Sequence, residues 1–176
     1  MNEYIEVLIK RIGQWIEDSN ASVGLLLAGP PGNGKTTVVR ALKMLITHSE
    51  CKDPVNLDYY GKPQSACLHI VNAHDLTKLY TENEHRYNFL KKTGILAIDD
   101  LGLEPIEFSK YGNIYNPFLD LFYYRYENNL MTILTSNLTK FMLNDRYGDR
   151  FADRINEMMF RIGFPDNSFR HNNYNK

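Results

Sequence analysis

Cysteine is scarce in this 176-residue sequence, which contains only Cys51 and Cys67, sixteen positions apart and not in a CxxC pair. The five histidines show no metal-ligand spacing either. These two features argue against a zinc site. Cys67 stands in an apolar run, and we therefore expect it to be a buried small hydrophobic residue and not a reactive thiol.

Long hydrophobic runs and net charge are also lacking. No apolar run reaches the roughly 18 residues of a membrane-spanning helix, and the charged first segment does not resemble a signal peptide. We therefore expect a cytoplasmic protein without a membrane partner. Twenty Lys and Arg against 21 Asp and Glu give a net charge of −1, which excludes general attraction to nucleic acids. Scattered basic residues are interpreted as solvated: Lys91, Lys92, Lys110, Arg125 and Lys140.

The opening segment, residues 1–20, has the pattern of an amphipathic helix. Its apolar residues recur at spacings of three and four, namely Ile5, Leu8, Ile9, Ile12, Trp15 and Ile16. This face either packs on the edge of the core or binds a partner. Composition and length indicate one globular domain, which we place at residues 21–170, followed by a frayed tail at 171–176.

Short apolar runs alternate with helical patterns through this domain. Five buried strands are predicted at residues 23–28, 66–71, 95–98, 131–134 and 158–162. Asn72 or Asp75 is expected to cap one helix, and Asn116 followed by Pro117 to begin another. Residues 49–65 and 101–116 are expected to be connections, and 138–156 to be helix or turn. The fold class is therefore α/β, with three α-β-α layers and a mostly parallel five-stranded sheet.

The strongest motif lies between the first strand and the helix that follows it. Residues 29–37 match G-x-x-x-x-G-K-[ST] and read Gly29, Pro30, Pro31, Gly32, Asn33, Gly34, Lys35, Thr36 and Thr37. Glycines let the backbone wrap a polyphosphate, and the helix amino terminus points at its charge. Lys35 is expected to reach the phosphates of ATP and Thr36 to ligate Mg²⁺.

Polar residues end the third and fourth strands, where ligands bind in open α/β sheets. Asp99 is expected to face the water ligands of Mg²⁺, and Asp100 to orient the attacking water. Asn137 either polarises that water or contacts the γ-phosphate, or it acts as a capping or turn residue. Arg150 and Arg154, four residues apart on a helix, either form a solvated face or supply positive charge to a neighbouring subunit's γ-phosphate.

Four motifs in this order resemble the helicase-loader branch of the AAA+ ATPases, the DnaC-like and IstB-like proteins. They are GPPGNGKTT (29–37), ILAIDDLG (95–102), ILTSN (133–137) and GDRFADR (148–154). The resemblance implies a Walker A loop at 29–37, a Walker B pair at Asp99 and Asp100, and a sensor 1 residue at Asn137. It implies an arginine finger at Arg154, with Arg150 as second choice.

The sequence departs from this branch in two ways, at the position of Asp100 and in the segment before the first strand. Many relatives have glutamate at the position of Asp100, which bears on the rate of hydrolysis. About 22 residues precede the first strand, fewer than loaders use to grip a helicase. Few residues follow the fifth strand, which implies little or no C-terminal lid.

The resemblance implies a DnaC-like DNA replication protein that binds and hydrolyses ATP with Mg²⁺ and assembles into a homo-oligomer. Its expected partners are single-stranded DNA and a replicative helicase or a transposase. Three alternatives stay open: an IstB-like transposition helper, a nucleotide-dependent binding switch without significant hydrolysis, and a small P-loop kinase.

Overall fold

The computed structural model describes residues 3–17, 23–110 and 112–165. Its helices are α1 Glu3–Glu17, α2 Lys35–His48, α3 Ala73–Glu82, α4 Glu84–Lys92, α5 Pro117–Glu127, α6 Lys140–Tyr147 and α7 Asp149–Met158. Its strands are β1 Gly24–Ala28, β2 Lys52–Leu57, β3 Pro63–Ser65, β4 Leu68–Asn72, β5 Ile95–Leu101, β6 Phe108–Lys110, β7 Asn113–Tyr115, β8 Met131–Ser136 and β9 Met159–Gly163. None of these helices combines the length and the apolar character that a bilayer crossing requires.

Five strands form one parallel sheet in the order β4-β5-β8-β1-β9. Strand β1, which lies between β8 and β9, is apolar on both faces because both are covered. Leu26 packs with residues of α3 to α7, whereas Leu25 and Leu27 pack with residues of α1 and α2 on the other face. The predicted three-layer α/β fold with five strands is confirmed.

Two of the predicted helix starts have the expected caps. The side chain of Asn72 accepts a hydrogen bond from the backbone N–H of His74 at 3.0 Å, at the start of α3. Asn116 accepts one from the backbone N–H of Leu119 at 2.9 Å, and Pro117 follows it as the first residue of α5. Each cap satisfies a backbone donor that has no partner within its helix.

Several local predictions were wrong. Residues 49–65 contain the antiparallel hairpin β2–β3, and 101–116 contain the hairpin β6–β7. Cys67 is exposed and not buried. By contrast, the stretch 138–156 forms helix as predicted, in two parts that Gly148, with φ of 84°, separates into α6 and α7. The expected tail 171–176, the domain boundary at residue 20 and any lid beyond Pro165 lie outside the described residues.

Arg125 is the largest departure from the sequence interpretation, since its side chain is 0% exposed and not solvated. Its Nε donates to the Thr132 hydroxyl at 2.9 Å, and its terminal nitrogens donate to five backbone carbonyls. The two shortest of these bonds reach Thr93 O at 2.7 Å and Met131 O at 2.6 Å. The guanidinium therefore joins the end of α4 to the start of β8.

Burial lowers the pKa of Arg125 to about 9, while the nearby carboxylate of Asp53 acts in the opposite direction. The side chain therefore remains a cation at neutral pH. A buried cation is tolerated only when its donors are satisfied. Here they are satisfied by the backbone carbonyls of Leu90, Lys91, Thr93, Gly94 and Met131, which form a carbonyl cluster around the guanidinium.

Candidate nucleotide-binding site

The phosphate-binding loop lies at the carboxyl end of β1 and leads into α2. The backbone N–H of Gly29 donates to Ser136 O at 3.1 Å, which ties the loop to β8. A Cβ at Gly29 would lie 2.6 Å from the backbone oxygen of Phe164, and the residue has φ of 151°. Gly34 precedes α2 with φ of 88°. Both positions therefore require glycine.

The segment after β9 closes one side of this loop. The backbone N–H of Phe164 donates to Ala28 O at 2.7 Å. The buried side chain of Asn33 donates to the backbone carbonyl of Pro165. The structure thus places Asn33, one of the predicted binding residues, as an anchor of the loop to the segment after β9.

Lys35 is held against the loop that it follows. Its side chain is 5% exposed, and Nζ donates to Gly29 O at 2.6 Å and to Pro30 O at 2.7 Å. The ammonium group therefore stands where the backbone curls around a polyphosphate. This position suits a cation that binds phosphate oxygens.

Asp99 joins three elements at the carboxyl edge of the sheet. Its buried carboxylate accepts hydrogen bonds from the Thr36 hydroxyl at 3.0 and 3.1 Å and from the Thr135 hydroxyl at 2.5 Å. Thr36 lies in the first turn of α2, Asp99 near the carboxyl end of β5 and Thr135 near that of β8. A hydroxyl and a carboxylate held together in this way match the oxygen ligands and water-mediated contacts that Mg²⁺ prefers.

The backbone at Asp100 explains how two adjacent carboxylates serve one site. Side chains of consecutive strand residues normally point to opposite faces. Asp100 instead has φ of 57°, its N–H donates to the Thr135 hydroxyl at 2.9 Å, and the register with β8 shifts between Ile98 and Leu101. This irregularity redirects Asp100 toward the loop.

A cavity of about 310 Å³ opens at this edge. Nine residues line it: Pro31, Gly32, Asn33, Gly34, Lys35, Thr36, Thr37, Asp100 and Asn137. The structure therefore brings the loop, the second carboxylate and the exposed amide of Asn137 together around one space.

The two arginines do not line this cavity. The Arg150 guanidinium lies 4.6 Å from the centre of the Tyr123 ring, and that of Arg154 lies 4.6 Å from the centre of the Tyr126 ring. Arg154 also pairs with Glu157 at 3.1 Å. Both arginines thus lie along α5, on the outer surface of α7.

Sequence reasoning assigned no role to Thr135 or Ser136. Thr135 orients both acidic residues, and the Ser136 hydroxyl donates to Leu101 O at 2.7 Å, which holds the chain just after Asp100. The signal that could have identified them is their place at the polar end of a buried strand. Hydroxyl groups there must find buried partners.

A phosphate loop follows the interior strand β1, and acidic residues stand near the carboxyl end of β5, on the other side of β8. This arrangement defines a P-loop nucleotide-binding domain. The profile of the family described as IstB-like ATP binding protein matches residues 9–174, and the chain belongs to this family. No curated protein matches the sequence.

Solved structures share this fold. The chain resembles the DnaC helicase loader at 22% identity and a TM-score of 0.63, covering 91% of this chain and 89% of that one. For DnaI the identity is 20% and the TM-score 0.65, and the match covers 94% of this chain and 86% of that one. For AMPPCP-bound DnaA from Aquifex aeolicus the identity is 16% and the TM-score 0.65, and the match covers 97% of this chain and 50% of that one. The expected resemblance to the DnaC-like and IstB-like AAA+ ATPases is confirmed.

Proposed function

We propose that this protein is a Mg²⁺-dependent ATPase of the helicase-loader type. The observation that carries the proposal is the Asp99 carboxylate, held between Thr36 of the loop helix and Thr135 of β8. This arrangement connects the phosphate loop to the strand that supplies Asp100. A site that only needed to hold a nucleotide would not require a second carboxylate at the same cavity.

Five residues in or beside the cavity have a proposed task. Lys35 binds the β- and γ-phosphates, Thr36 ligates Mg²⁺, and Asp99 accepts hydrogen bonds from the water ligands of the ion. Asp100 orients the attacking water, and Asn137 contacts that water or the γ-phosphate. Mg²⁺, when bound, neutralises charge that develops on the phosphate oxygens.

The arginines are proposed to act between subunits. Arg154, or Arg150 in its place, supplies positive charge to the γ-phosphate of a neighbouring copy in a homo-oligomer. Their position on the outer surface of α7, away from the cavity of their own chain, supports this assignment. ATP would then favour the assembled state and hydrolysis would release it.

The similar proteins support two candidate biological settings. We propose a cytoplasmic protein whose nucleotide state controls its hold on single-stranded DNA and on a replicative helicase. The similarity to a DnaC helicase loader supports this setting. Membership of the IstB-like family supports a second candidate, a transposition helper that acts with a transposase. Pull-down of purified helicase and transposase with ATP separates the two.

Asp100→Asn is expected to leave ATP binding nearly unchanged and to lower turnover by at least about 100-fold. The amide keeps the shape of the side chain but cannot accept a proton or orient water as a carboxylate does. Isothermal titration measures the dissociation constant for ATP, and release of inorganic phosphate measures turnover.

The matched control for Asp100→Asn is Glu127→Gln, which removes one carboxylate charge from the exposed carboxyl end of α5. This control should turn over ATP like the original protein. Normal turnover in Asp100→Asn would show that another residue positions the water.

Mixing two inactive variants tests the arginine assignment. Arg154→Ala keeps its own cavity, and Asp100→Asn keeps its arginines, so a mixed oligomer contains complete sites at their junctions. The mixture is expected to turn over ATP faster than the sum of the two variants measured alone. The same mixture with Arg150→Ala decides between the two arginines.

Asp100→Asn mixed with Lys35→Ala is the negative control, because neither partner then has a competent cavity. Turnover per subunit should also rise with protein concentration in the original protein. A concentration-independent rate, or normal turnover in both arginine variants alone, would remove the trans assignment and favour a self-contained site.

A further inference from the structure

Glu104 is a buried carboxylate in the loop after β5, and none of the proposed tasks above uses it. Only 2% of the surface of Glu104 is exposed. One carboxylate oxygen accepts the backbone N–H of Gly102 at 2.9 Å, and the other accepts the Tyr147 hydroxyl. Burying a carboxylate is costly unless it is hydrogen-bonded, so these bonds fix the loop to the end of α6.

Arg146 forms a second link between the same two segments. Its guanidinium donates to the backbone carbonyl of Glu104, and its Nε lies 3.8 Å from the Glu104 carboxylate. This ion pair is largely shielded, since the side chain of Arg146 is 23% exposed. The loop is thus held to α6 through both its backbone and its side chain.

Tyr147 connects this contact to α7. The centre of its ring lies 4.7 Å from that of Phe151 on α7 and 5.2 Å from that of Phe118 on α5. Burial, and next the hydrogen bond to Glu104, raise the pKa of Tyr147, so its hydroxyl stays a donor at neutral pH. Tyr147 stands three residues before Arg150, across the break at Gly148.

The other end of the loop is tied to the catalytic edge. Glu104 follows Asp100 by four residues, and the intervening Leu101 carbonyl accepts the Ser136 hydroxyl at 2.7 Å. Gly102, with φ of 108°, packs so closely on Leu138 that a Cβ would lie 2.6 Å from its Cδ1. A short chain of fixed contacts therefore runs from Asp100 to α7.

We propose that Glu104 and Tyr147 are positioning residues, which hold the arginine-bearing helix α7 in a fixed place relative to Asp100. Turnover at the junction of two subunits then depends on this hydrogen bond, because one subunit presents its arginine while its neighbour presents Asp100. The inference rests on the proposed function. Small displacements of a catalytic group have large effects on rate, so the bond acts on turnover more than on ATP affinity.

Tyr147→Phe tests this role because it removes the hydroxyl and keeps the ring. Its kcat is expected to fall by about fivefold or more, with the dissociation constant for ATP unchanged. The matched control is Tyr87→Phe. Tyr87 is also buried, and its hydroxyl donates to Pro117 O and to the Asp120 carboxylate, both at 2.7 Å. This control should lose similar stability and keep its kcat.

A double-mutant comparison separates positioning from general weakening of the fold. Whichever of Arg150→Ala and Arg154→Ala lowers kcat in the original protein should lower it by a smaller factor in the Tyr147→Phe background. Equal factors in both backgrounds, or equal kcat in Tyr147→Phe and Tyr87→Phe, would overturn the inference alone. Absence of turnover in the original protein would refute the proposed function itself.

Discussion

Replacing Lys35 with alanine is expected to raise the dissociation constant for ATP by at least about 100-fold, the loss that follows when one partner of a buried charge pair is removed. The ammonium group is the one cation among the residues that line the described cavity. Alanine leaves the phosphate charge to be balanced by backbone N–H groups and Mg²⁺ alone. Isothermal titration with ATP and Mg²⁺ gives the affinity directly.

The control for Lys35→Ala is Lys43→Ala, which removes an exposed lysine from the same helix α2. It should bind ATP like the original protein. Lys35 also donates to the carbonyls of Gly29 and Pro30, and alanine loses these two bonds. Circular dichroism therefore checks that both variants are folded. Near-normal affinity in a folded Lys35→Ala would contradict the role assigned to the phosphate loop.

Arg125→Met is expected to lower the free energy of unfolding by about 3–5 kcal/mol, because several buried backbone carbonyls lose their donor and each unsatisfied group costs about 1–3 kcal/mol. Methionine fills much of the space but leaves the backbone carbonyls at the end of α4 and the start of β8 without donors. Such a loss is a large fraction of the stability of a single domain. Urea unfolding followed by circular dichroism measures it.

Arg40→Met is the matched control for Arg125→Met, because Arg40 is exposed on α2. Its free energy of unfolding should stay within about 0.5 kcal/mol of the original value, the range typical of surface substitutions. If Arg125→Met unfolded at the same urea concentration as this control, the carbonyl cluster would not depend on the guanidinium.

The strands of the main sheet could be predicted because each contains a short, mostly apolar run, of which Leu25 to Leu27 is the clearest. A strand covered on both faces has this signature wherever it stands in the sheet. The hairpins β2–β3 and β6–β7 lack it, since most of their residues are exposed and polar residues interrupt the apolar ones. Their pairing depends on backbone hydrogen bonds that composition does not reveal.

The site was predictable to the extent that its residues follow strand ends. Asp99, Asp100 and Asn137 could be placed at one edge of the sheet for that reason. The left-handed backbone at Asp100 could not, because nothing in the local sequence requires it. It arises from the bond to Thr135, on a strand 35 residues later.

Arg125 shows a further limit of sequence reading. An arginine within the aromatic segment 122–126 is expected to be solvated, since arginine is seldom fully buried. Its burial depends on carbonyls that α4 and β8 bring together from separate parts of the chain. Tertiary contacts of this kind outweigh the average behaviour of a residue type.

The phosphate loop and the segment after β9 are made at very different times during synthesis. A ribosome adds residues from the amino terminus, so residues 29–34 emerge long before Phe164 and Pro165. Gly29 packs on Phe164, and Asn33 bonds to Pro165 across 132 positions of sequence. A nascent chain that already contains the whole motif therefore lacks these two contacts until β9 has docked, and we expect it to bind nucleotide only after that step.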